Sequence, residues 1–405
     1  MKKILIIEDD LIVANIYRNK FAVEGYVVET ALDGLAGLEA VRSFRPDAVI
    51  LDLMLPKMTG VEVVKKLRSE PDFQKLPVIV FSNTYMTNMV QEAWKAGATK
   101  CLSKANCTPK QLIDVVRGAL FPNGAGDPAS APLGAARVPA LKSSLLPPST
   151  PADQIPSGDP DAAFQADLRK SFLEGLPATL TALRAALQGL IKADNEVMRL
   201  KQVHEMYRRV RALTGNAGVA GMARIACMSD AFEALLKELH EKPKNLTSST
   251  LRTVASAVDF LGLLFDRGIS ASLQESPAPK VLVVDDEAIS RRAVVYALEK
   301  AKLKSVDVED PAVAYDLLLE SSFDLIILDV DMPGMNGFEL CTKLRTLPAH
   351  KQTPVMFVTG LNDFESRTNS TVSGGNDFIA KPFLFIELAV KALVYVLQGR
   401  LTPAK

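Results

Sequence analysis

Four residues that could hold a divalent cation beside an acidic nucleophile occur twice in this chain at the same spacing. The intervals are 43, 30 and 22 residues in both sets. The two sets are Asp9, Asp52, Ser82 and Lys104, and Asp286, Asp329, Thr359 and Lys381. Carboxylates can bind the cation and attack phosphorus, while the amine and hydroxyl can bind phosphoryl oxygens. The repetition predicts two copies of one phosphoryl-accepting module.

Short apolar strands alternating with amphipathic helices must position these residues. In residues 1–121, continuous apolar runs predict buried parallel strands at Ile4–Ile7, Ala48–Leu51 and Val78–Phe81. Residues 280–400 repeat the pattern at Val281–Val284, Leu325–Leu328 and Val355–Val358. Helical patterns separate the strands, so both regions are predicted to be doubly wound α/β sheets.

The acidic residues are expected to meet at one edge of each sheet. Glu8 and Asp9 follow the first predicted strand and Asp52 follows another, and ligands of open parallel sheets bind beyond the carboxyl ends of strands. Crowded carboxylates repel one another unless a cation neutralises them. Oxygen-only ligands favour Mg²⁺ over zinc or copper. A helix-capping role is the alternative for any single Asp, but it does not account for matched positions in duplicate.

Composition places the chain among ordinary globular proteins. Its 405 residues allow about two to four domains. The net charge of zero gives no bias towards nucleic acid or anionic membrane. No signal-peptide layout or long apolar run is present, so a cytoplasmic location without membrane or nucleic-acid partners is expected. Four scattered cysteines predict free thiols: Cys101, Cys107, Cys227 and Cys341.

The middle of the chain has a different pattern. Residues 122–160 hold nine of the 24 prolines and are predicted to be an extended linker, as is the shorter segment 270–279. Residues 161–269 show apolar stripes at helical spacing and no strand pattern, which predicts an all-α bundle. Within it, Pro177 is expected to end one helix and start another.

The two α/β regions carry motifs of a known family. ILIIEDD, VILDLMLPKMTG, VIVFSNT and GATKCLSK resemble the receiver domain of two-component response regulators, as do VLVVDDE, LIILDVDMPGMNG, VMFVTG and NDFIAKPF. The resemblance implies a five-stranded, flavodoxin-like parallel sheet for residues 1–121 and 280–400.

The resemblance also implies roles for individual residues. Asp52 and Asp329 correspond to the phosphorylated aspartates, and Lys104 and Lys381 to the family's lysines. In each copy, Mg²⁺ would be held by three carboxylates and one backbone carbonyl. These are Glu8, Asp9, Asp52 and the Met54 carbonyl in the first copy, and Asp285, Asp286, Asp329 and the Asp331 carbonyl in the second. The switch positions would be Ser82 and Cys101 in the first copy, and Thr359 and Phe378 in the second.

The two copies differ at the positions that report on phosphorylation. The second has the family's aromatic, Phe378, and a proline, Pro382, that forms a cis peptide in receiver domains. The first has Cys101 and Ala105 there. The first site is therefore expected to keep its chemistry with an altered read-out. The competing interpretation is that the first copy has drifted towards a purely structural role.

The helical region resembles histidine phosphotransfer domains in a leucine, Leu213, and in the small residues that follow it, which are Gly215, Ala217, Gly218 and Gly221. Arg211 stands at the position of the phosphoacceptor histidine, and a guanidinium has no free lone pair with which to attack phosphorus. The resemblance therefore implies a bundle that cannot carry a phosphoryl group at this position.

A basic line on one helix face runs through His204, Arg208 and Arg211 and ends at Gly215. The hypothesis is that it docks a receiver's acidic edge, with Arg211 in place of a phosphohistidine. A solvated charged face is the alternative.

The predicted order is receiver, linker, phosphotransfer-like bundle, linker and receiver. No DNA-binding or enzymatic output domain is recognised, so the expected output is protein–protein interaction and the chain is not expected to be an enzyme. A histidine kinase or phosphotransfer protein would be the phosphodonor. Alternatives are a phosphate sink or relay member, or a scaffold with only one phosphorylated receiver. The sequence leaves open whether the signal reaches a downstream protein, a homodimer or the bundle.

Overall fold

The computed structural model describes residues 1–83, 88–121, 160–267, 278–360 and 373–401. The chain divides into two compact units. The first consists mainly of Met1–Ser82 and Asn88–Phe172, and the second mainly of Leu173–Gly218 and Met222–Lys405. Most of both predicted linkers, residues 122–159 and 268–277, lies outside the described residues.

The N-terminal α/β region has five parallel strands in the order β2-β1-β3-β4-β5. The strands are β1 (Lys3–Ile7), β2 (Val27–Ala31), β3 (Ala48–Leu51), β4 (Val78–Ser82) and β5 (Lys100–Ser103). The helices are α1 (Leu11–Val23), α2 (Gly34–Phe44), α3 (Gly60–Ser69), α4 (Asn88–Lys95) and α5 (Pro109–Leu120). The predicted fold class is confirmed.

Continuous apolar strands form because both faces of this sheet are covered. Ile4 and Ile6 belong to one core cluster with Tyr17 of α1, whereas Leu5 and Ile7 belong to the cluster on the other face. Successive side chains of a strand point to opposite faces, so a strand buried on both faces needs apolar residues at every position.

The middle region is helical, as predicted. Its helices are α6 (Pro160–Lys192), α7 (Glu196–Val219), α8 (Ala223–Glu241) and α9 (Ser248–Arg267). The predicted break at Pro177 is wrong, because α6 continues through it. Proline removes one helical hydrogen bond, but Leu176 and Leu183 on either side are buried, and this packing offsets the loss.

The C-terminal α/β region repeats the sheet order, as β10-β9-β8-β6-β7. The strands are β6 (Lys280–Val284), β7 (Lys304–Val308), β8 (Leu325–Asp329), β9 (Val355–Thr359) and β10 (Asp377–Ala380). The helices described are α10 (Ala288–Lys300), α11 (Pro311–Glu320), α12 (Gly337–Leu344) and α13 (Phe385–Leu401). Among the helices of the described ranges, none combines the length and hydrophobicity needed to span a bilayer.

Candidate functional site

Three carboxylates meet at the carboxyl ends of β1 and β3. Glu8, Asp9 and Asp52 each offer an oxygen, and these oxygens lie within 4.8 Å of one another. Glu8 and Asp52 are buried and Asp9 is exposed. The predicted convergence at the sheet edge is confirmed. The third consecutive acid, Asp10, instead caps α1 by accepting hydrogen bonds from the Ile12 and Val13 amides.

An amine and a hydroxyl complete the N-terminal site. Lys104 Nζ lies 2.8 Å from Asp52 Oδ2 and also pairs with Glu8. Ser82 Oγ donates to Asp52 Oδ1 at 2.8 Å. The Lys104 side chain is only 4% exposed, so the two buried carboxylates are bridged by a cation that water barely reaches.

Burial changes the pKa of Glu8, the acid that directly follows β1. Desolvation raises the pKa of Glu8 from 4.5 to about 7, against the opposing effect of Lys104, and the charge of Asp52 adds to the rise. Glu8 thus takes up a proton more readily than an ordinary glutamate, and its charged form depends on nearby positive charge.

The C-terminal site has the same carboxylate arrangement with a more accessible amine. Oxygens of Asp285, Asp286 and Asp329 lie within 4.8 Å of one another. Lys381 Nζ lies 3.1 Å from Asp285 Oδ2 and from Asp329 Oδ1, and its side chain is 22% exposed. Burial and the Asp285 charge raise the pKa of Asp329. Burial acts to lower the pKa of Lys381, but Asp285 and Asp329 together raise it.

Two residues that sequence reasoning missed hold Asp285 in place. Ser290 Oγ donates to its Oδ2, and Arg291 Nη1 donates to its backbone carbonyl at 2.7 Å. The corresponding positions of the first repeat are Val13 and Ala14. This difference between the repeats is visible in the sequence, and it could have pointed to Ser290 and Arg291.

A glycine follows each central aspartate at the same distance because the backbone passes very close. A Cβ at Gly60 would lie 2.2 Å from the Asp52 carbonyl oxygen, and one at Gly337 would lie 2.1 Å from the Asp329 carbonyl oxygen. No side chain fits there, so the loop after each central aspartate requires glycine.

The remaining predicted positions lie near these sites. The Met54 amide donates to Asp52 Oδ1 at 3.1 Å, while the ligand roles of the Met54 and Asp331 carbonyls stay predictions. Thr359 is buried at the end of β9. Cys101 and Phe378 are both half-buried. The predicted cis peptide between Lys381 and Pro382 is confirmed.

The proposed docking residues of the bundle all lie on α7. His204 and Arg208 are exposed, Arg211 is half-buried, and Gly215 is buried. The His204 ring lies 4.8 Å from the ring of His240, measured between centroids. Within the second unit, the Arg211 carbonyl accepts a hydrogen bond from Asn83 Nδ2 at 3.0 Å. The docking role itself stays a prediction.

Comparison with known proteins fits this duplicated geometry. A family model of the response regulator receiver domain matches residues 4–117 and 281–392, which is more than half of the chain. This chain belongs to the response regulator receiver family. The N-terminal α/β region is hereafter receiver 1 (residues 1–121), and the C-terminal one is receiver 2 (residues 278–401).

Individual relatives match one receiver-sized part of the chain. The transcriptional regulatory protein SrrA of Staphylococcus aureus is 37% identical over 117 residues, covering 28% of this chain and 47% of that protein. The chain thus spans about half the length of the curated relatives it matches. Among solved structures, chemotaxis protein CheY4 of Vibrio cholerae is 32% identical, with 29% of this chain and 97% of that chain covered and a TM-score of 0.28. The receiver domain of a Syntrophus aciditrophicus histidine kinase is 34% identical, with 29% and 90% covered and a TM-score of 0.27.

Membership of this family indicates the general function of the two acidic sites. Receiver domains accept phosphoryl groups in two-component signalling and interact with histidine kinases or phosphotransfer proteins. They typically bind Mg²⁺ through acidic residues, and each receiver of this chain has such a cluster.

Proposed function

We propose that this chain is a two-component response regulator that accepts phosphoryl groups on Asp329 and on Asp52 and signals through protein–protein interaction. The signal would pass by contact between proteins rather than by DNA binding or catalysis, and the only chemistry of the receivers would be their own phosphorylation and dephosphorylation. The observation that carries this proposal is the duplicated site in which a lysine ammonium lies within about 3 Å of the central aspartate.

The transfer needs one bond to form and one to break. An Asp329 carboxylate oxygen attacks the phosphorus of a donor phosphohistidine, the P–N bond breaks, and its electron pair returns to the imidazole, which takes a proton from solvent. Lys381 offsets the negative charge of the phosphoryl group as it arrives. Ser82, which donates to Asp52 in receiver 1, and Thr359, at the end of β9 in receiver 2, would hydrogen-bond the new phosphoryl oxygens.

The donor set of both sites fits Mg²⁺. Each cluster offers oxygen ligands alone, with two buried carboxylates and one exposed, which is typical of a hard cation. In receiver 1 the ligands would be Glu8, Asp9 and Asp52 with the Met54 carbonyl. In receiver 2 they would be Asp285, Asp286 and Asp329 with the Asp331 carbonyl. When bound, the cation neutralises the carboxylates and the incoming phosphoryl group.

The phosphodonor would be a separate histidine kinase or phosphotransfer protein, because Arg211 occupies the phosphoacceptor position of the bundle. A phosphorylated receiver would then contact a downstream protein, a second copy of the chain or the bundle. Phe378 gives receiver 2 an aromatic switch position that Cys101 does not supply in receiver 1.

Phosphorylation by acetyl phosphate and Mg²⁺, read by intact mass, tests this function. The wild type, Asp52→Ala and Asp329→Ala are compared, and the expected result is one phosphoryl group on each single variant. Omission of Mg²⁺ is the control and should abolish the added mass. Absence of any phosphoryl group on the wild type would refute the proposal.

A scaffold function for receiver 1 is the second candidate, and the burial of Lys104 between Glu8 and Asp52 favours it. Under this alternative, Asp52→Ala leaves both the added mass and signalling unchanged, whereas deletion of the bundle abolishes signalling. A phosphate sink would instead show rapid loss of the aspartyl phosphates, which a time course of the same masses measures.

A further inference from the structure

The last helix of receiver 2 is buried on all of its faces. Every residue from Glu387 to Val394 in α13 is buried, whereas buried and exposed residues alternate along α5 of receiver 1. A helix buried all round has packing partners on more than one side. Within the second unit, α13 packs against α10 of its own receiver and against α8 and α9 of the bundle.

A cavity of about 250 Å³ lies within the second unit, where the start of α13 faces the start of α9. Hydroxyl side chains and an arginine line it on the bundle side. Aromatic and aliphatic side chains and one carboxylate line it on the receiver side. Cavities that hold drug-sized ligands measure about 300–1,000 Å³, so this one suits a smaller molecule with both polar and apolar parts.

Glu387 supplies the carboxylate of this cavity. It is 3% exposed, and its Oε1 accepts hydrogen bonds from Ser249 Oγ at 2.6 Å and Thr253 Oγ1 at 3.1 Å. Its Oε2 accepts none from the residues that the structure describes. The lysine one turn later, Lys391, pairs with Asp377 instead. Because a buried carboxylate is costly without a cation, Glu387 is suited to a positively charged hydrogen-bond donor in the cavity.

Arg252 supplies the opposite charge. Its side chain is exposed, and its guanidinium carbon lies 5.7 Å from the centroid of the Phe378 ring, which also lines the cavity. The residues three and four positions away along α9 are serines and an alanine. No carboxylate of the described residues forms an ion pair with Arg252. A guanidinium binds a carboxylate through two parallel hydrogen bonds, so Arg252 is suited to the anionic end of a ligand.

The two charged groups line one cavity without pairing with each other. Because Glu387 is buried and Arg252 is exposed, a ligand that satisfies both would hold its cation inwards and its anion towards solvent. Pro382, Phe383 and Leu384 add apolar surface to the same lining. An ammonium, a carboxylate and an apolar group on one small frame are the features of an aliphatic α-amino acid.

We propose that this cavity binds a free aliphatic α-amino acid, with its ammonium on Glu387 and its carboxylate on Arg252. The side chain of the amino acid packs against Pro382 and Phe383. This inference does not depend on phosphorylation of either receiver, because neither acidic site contributes a residue to the cavity.

Receiver 1 does not have the residues that build this site. The positions equivalent to Phe378 and Glu387 are Cys101 and Lys110. A lysine in place of the glutamate repels an ammonium. One amino acid per chain is therefore the expected stoichiometry.

Equilibrium dialysis of the full chain against radiolabelled L-leucine tests the site. Saturable binding is expected, with competition by L-alanine, L-valine and L-methionine. Two further competitors each lack one charged group of leucine: 4-methylpentanoate has no ammonium, and 3-methylbutan-1-amine has no carboxylate. Each should bind about ten- to a hundredfold more weakly than leucine, because it loses the hydrogen bonds of one charged group.

Two variants assign the ends of the ligand. Arg252→Gln should weaken leucine binding about tenfold or more and leave that of 3-methylbutan-1-amine unchanged. Glu387→Gln should weaken leucine binding to a similar extent and leave that of 4-methylpentanoate unchanged. A merely structural role for Glu387 would instead weaken all three probes alike. Arg199→Gln, which alters an exposed arginine of α7, is the matched control and should bind leucine as the wild type does.

Three outcomes would overturn the proposal. The first is the absence of saturable binding by any of the four amino acids. The second is leucine binding that both variants leave unchanged, which would place the ligand elsewhere on the chain. The third is an equal loss of all probes in Glu387→Gln without any loss in Arg252→Gln. None of these results would bear on phosphorylation of Asp52 or Asp329, which the intact-mass experiment measures separately.

Discussion

Receiver 1 and receiver 2 share a sheet order and an acidic site, yet they differ in how the lysine completes that site. Lys104 is enclosed, with 4% of its side chain exposed, whereas Lys381 is 22% exposed. Receiver 2 also holds Asp285 with Ser290 and Arg291, for which receiver 1 has Val13 and Ala14. The same residue types can thus make one site whose amine is part of the core and one whose amine is reachable from solvent.

The receivers differ again at their final helices. The outer face of α5 carries polar residues and a glycine, while that of α13 packs on the bundle. In receiver 2 the accessible lysine and the packed helix lie at the two ends of one short segment. Receiver 1 has the same types of site residue but no aromatic at the equivalent of Phe378, where Cys101 stands. The two receivers therefore share an acceptor site, but only receiver 2 combines it with an aromatic residue and a packed final helix.

The largest difference is expected from removal of each lysine. Lys104→Met leaves two buried carboxylates without their cation and should destabilise receiver 1 by about 3 kcal/mol. Lys381→Met removes a partly solvated cation, and its cost to receiver 2 should be about 1 kcal/mol. Native-state hydrogen exchange in denaturant measures both, with peptides from β1 and β6 reporting on each receiver. Equal losses would show that the two lysines are equally structural.

The outer helix faces give the next contrast. Lys391 is buried and pairs with Asp377, whereas its counterpart Asp114 is 57% exposed and pairs weakly with Arg117 at 3.5 Å. Lys391→Ala is expected to lower the free energy of unfolding of receiver 2 by about 2 kcal/mol. Asp114→Ala should change that of receiver 1 by less than about 0.5 kcal/mol. Thermal denaturation of the full chain and hydrogen exchange in the same β1 and β6 peptides distinguish the effect on receiver 2 from that on receiver 1.

A contrast that depends on pH is expected from titration of Glu8 in metal-free protein. Its pKa is raised from 4.5 to about 7 by burial, so folding takes up a proton between these values. The resulting stabilisation is present below pH 4.5 and is lost as the pH rises through 7. Glu8→Gln should remove this slope, so the variant should gain stability relative to wild type as the pH rises across the window. Parallel pH profiles for the two proteins would contradict the raised pKa.

Much of the fold and both sites followed from local sequence. Strands such as Val281–Val284 are apolar at every position, and this pattern requires a sheet covered on both faces. The positions of Asp9 and Asp52 after such strands then placed their carboxylates together. Local sequence was sufficient here because strand burial and strand-end geometry are properties of a single repeat.

Features that depend on distant partners were not predicted. Leu388 and Tyr395 contrast with Gln111 and Gly118 in the sequence, but which part of the chain covers α13 depends on its packing in three dimensions. His350 is fully buried and contacts the carbonyls of Leu318 and Ser321, and the spacing of the sequence suggests neither partner. Pro177 was expected to break a helix, and tertiary packing overrode that local preference.

The all-round burial of α13 also bears on how this chain could be rearranged in evolution. A receiver that ends in an amphipathic helix can be moved between proteins without leaving an apolar surface in water. Receiver 2 moved alone would expose the surface that now packs on α8 and α9, and such a patch favours aggregation. The smallest piece at this end of the chain that keeps the surface covered is therefore the bundle and receiver 2 together.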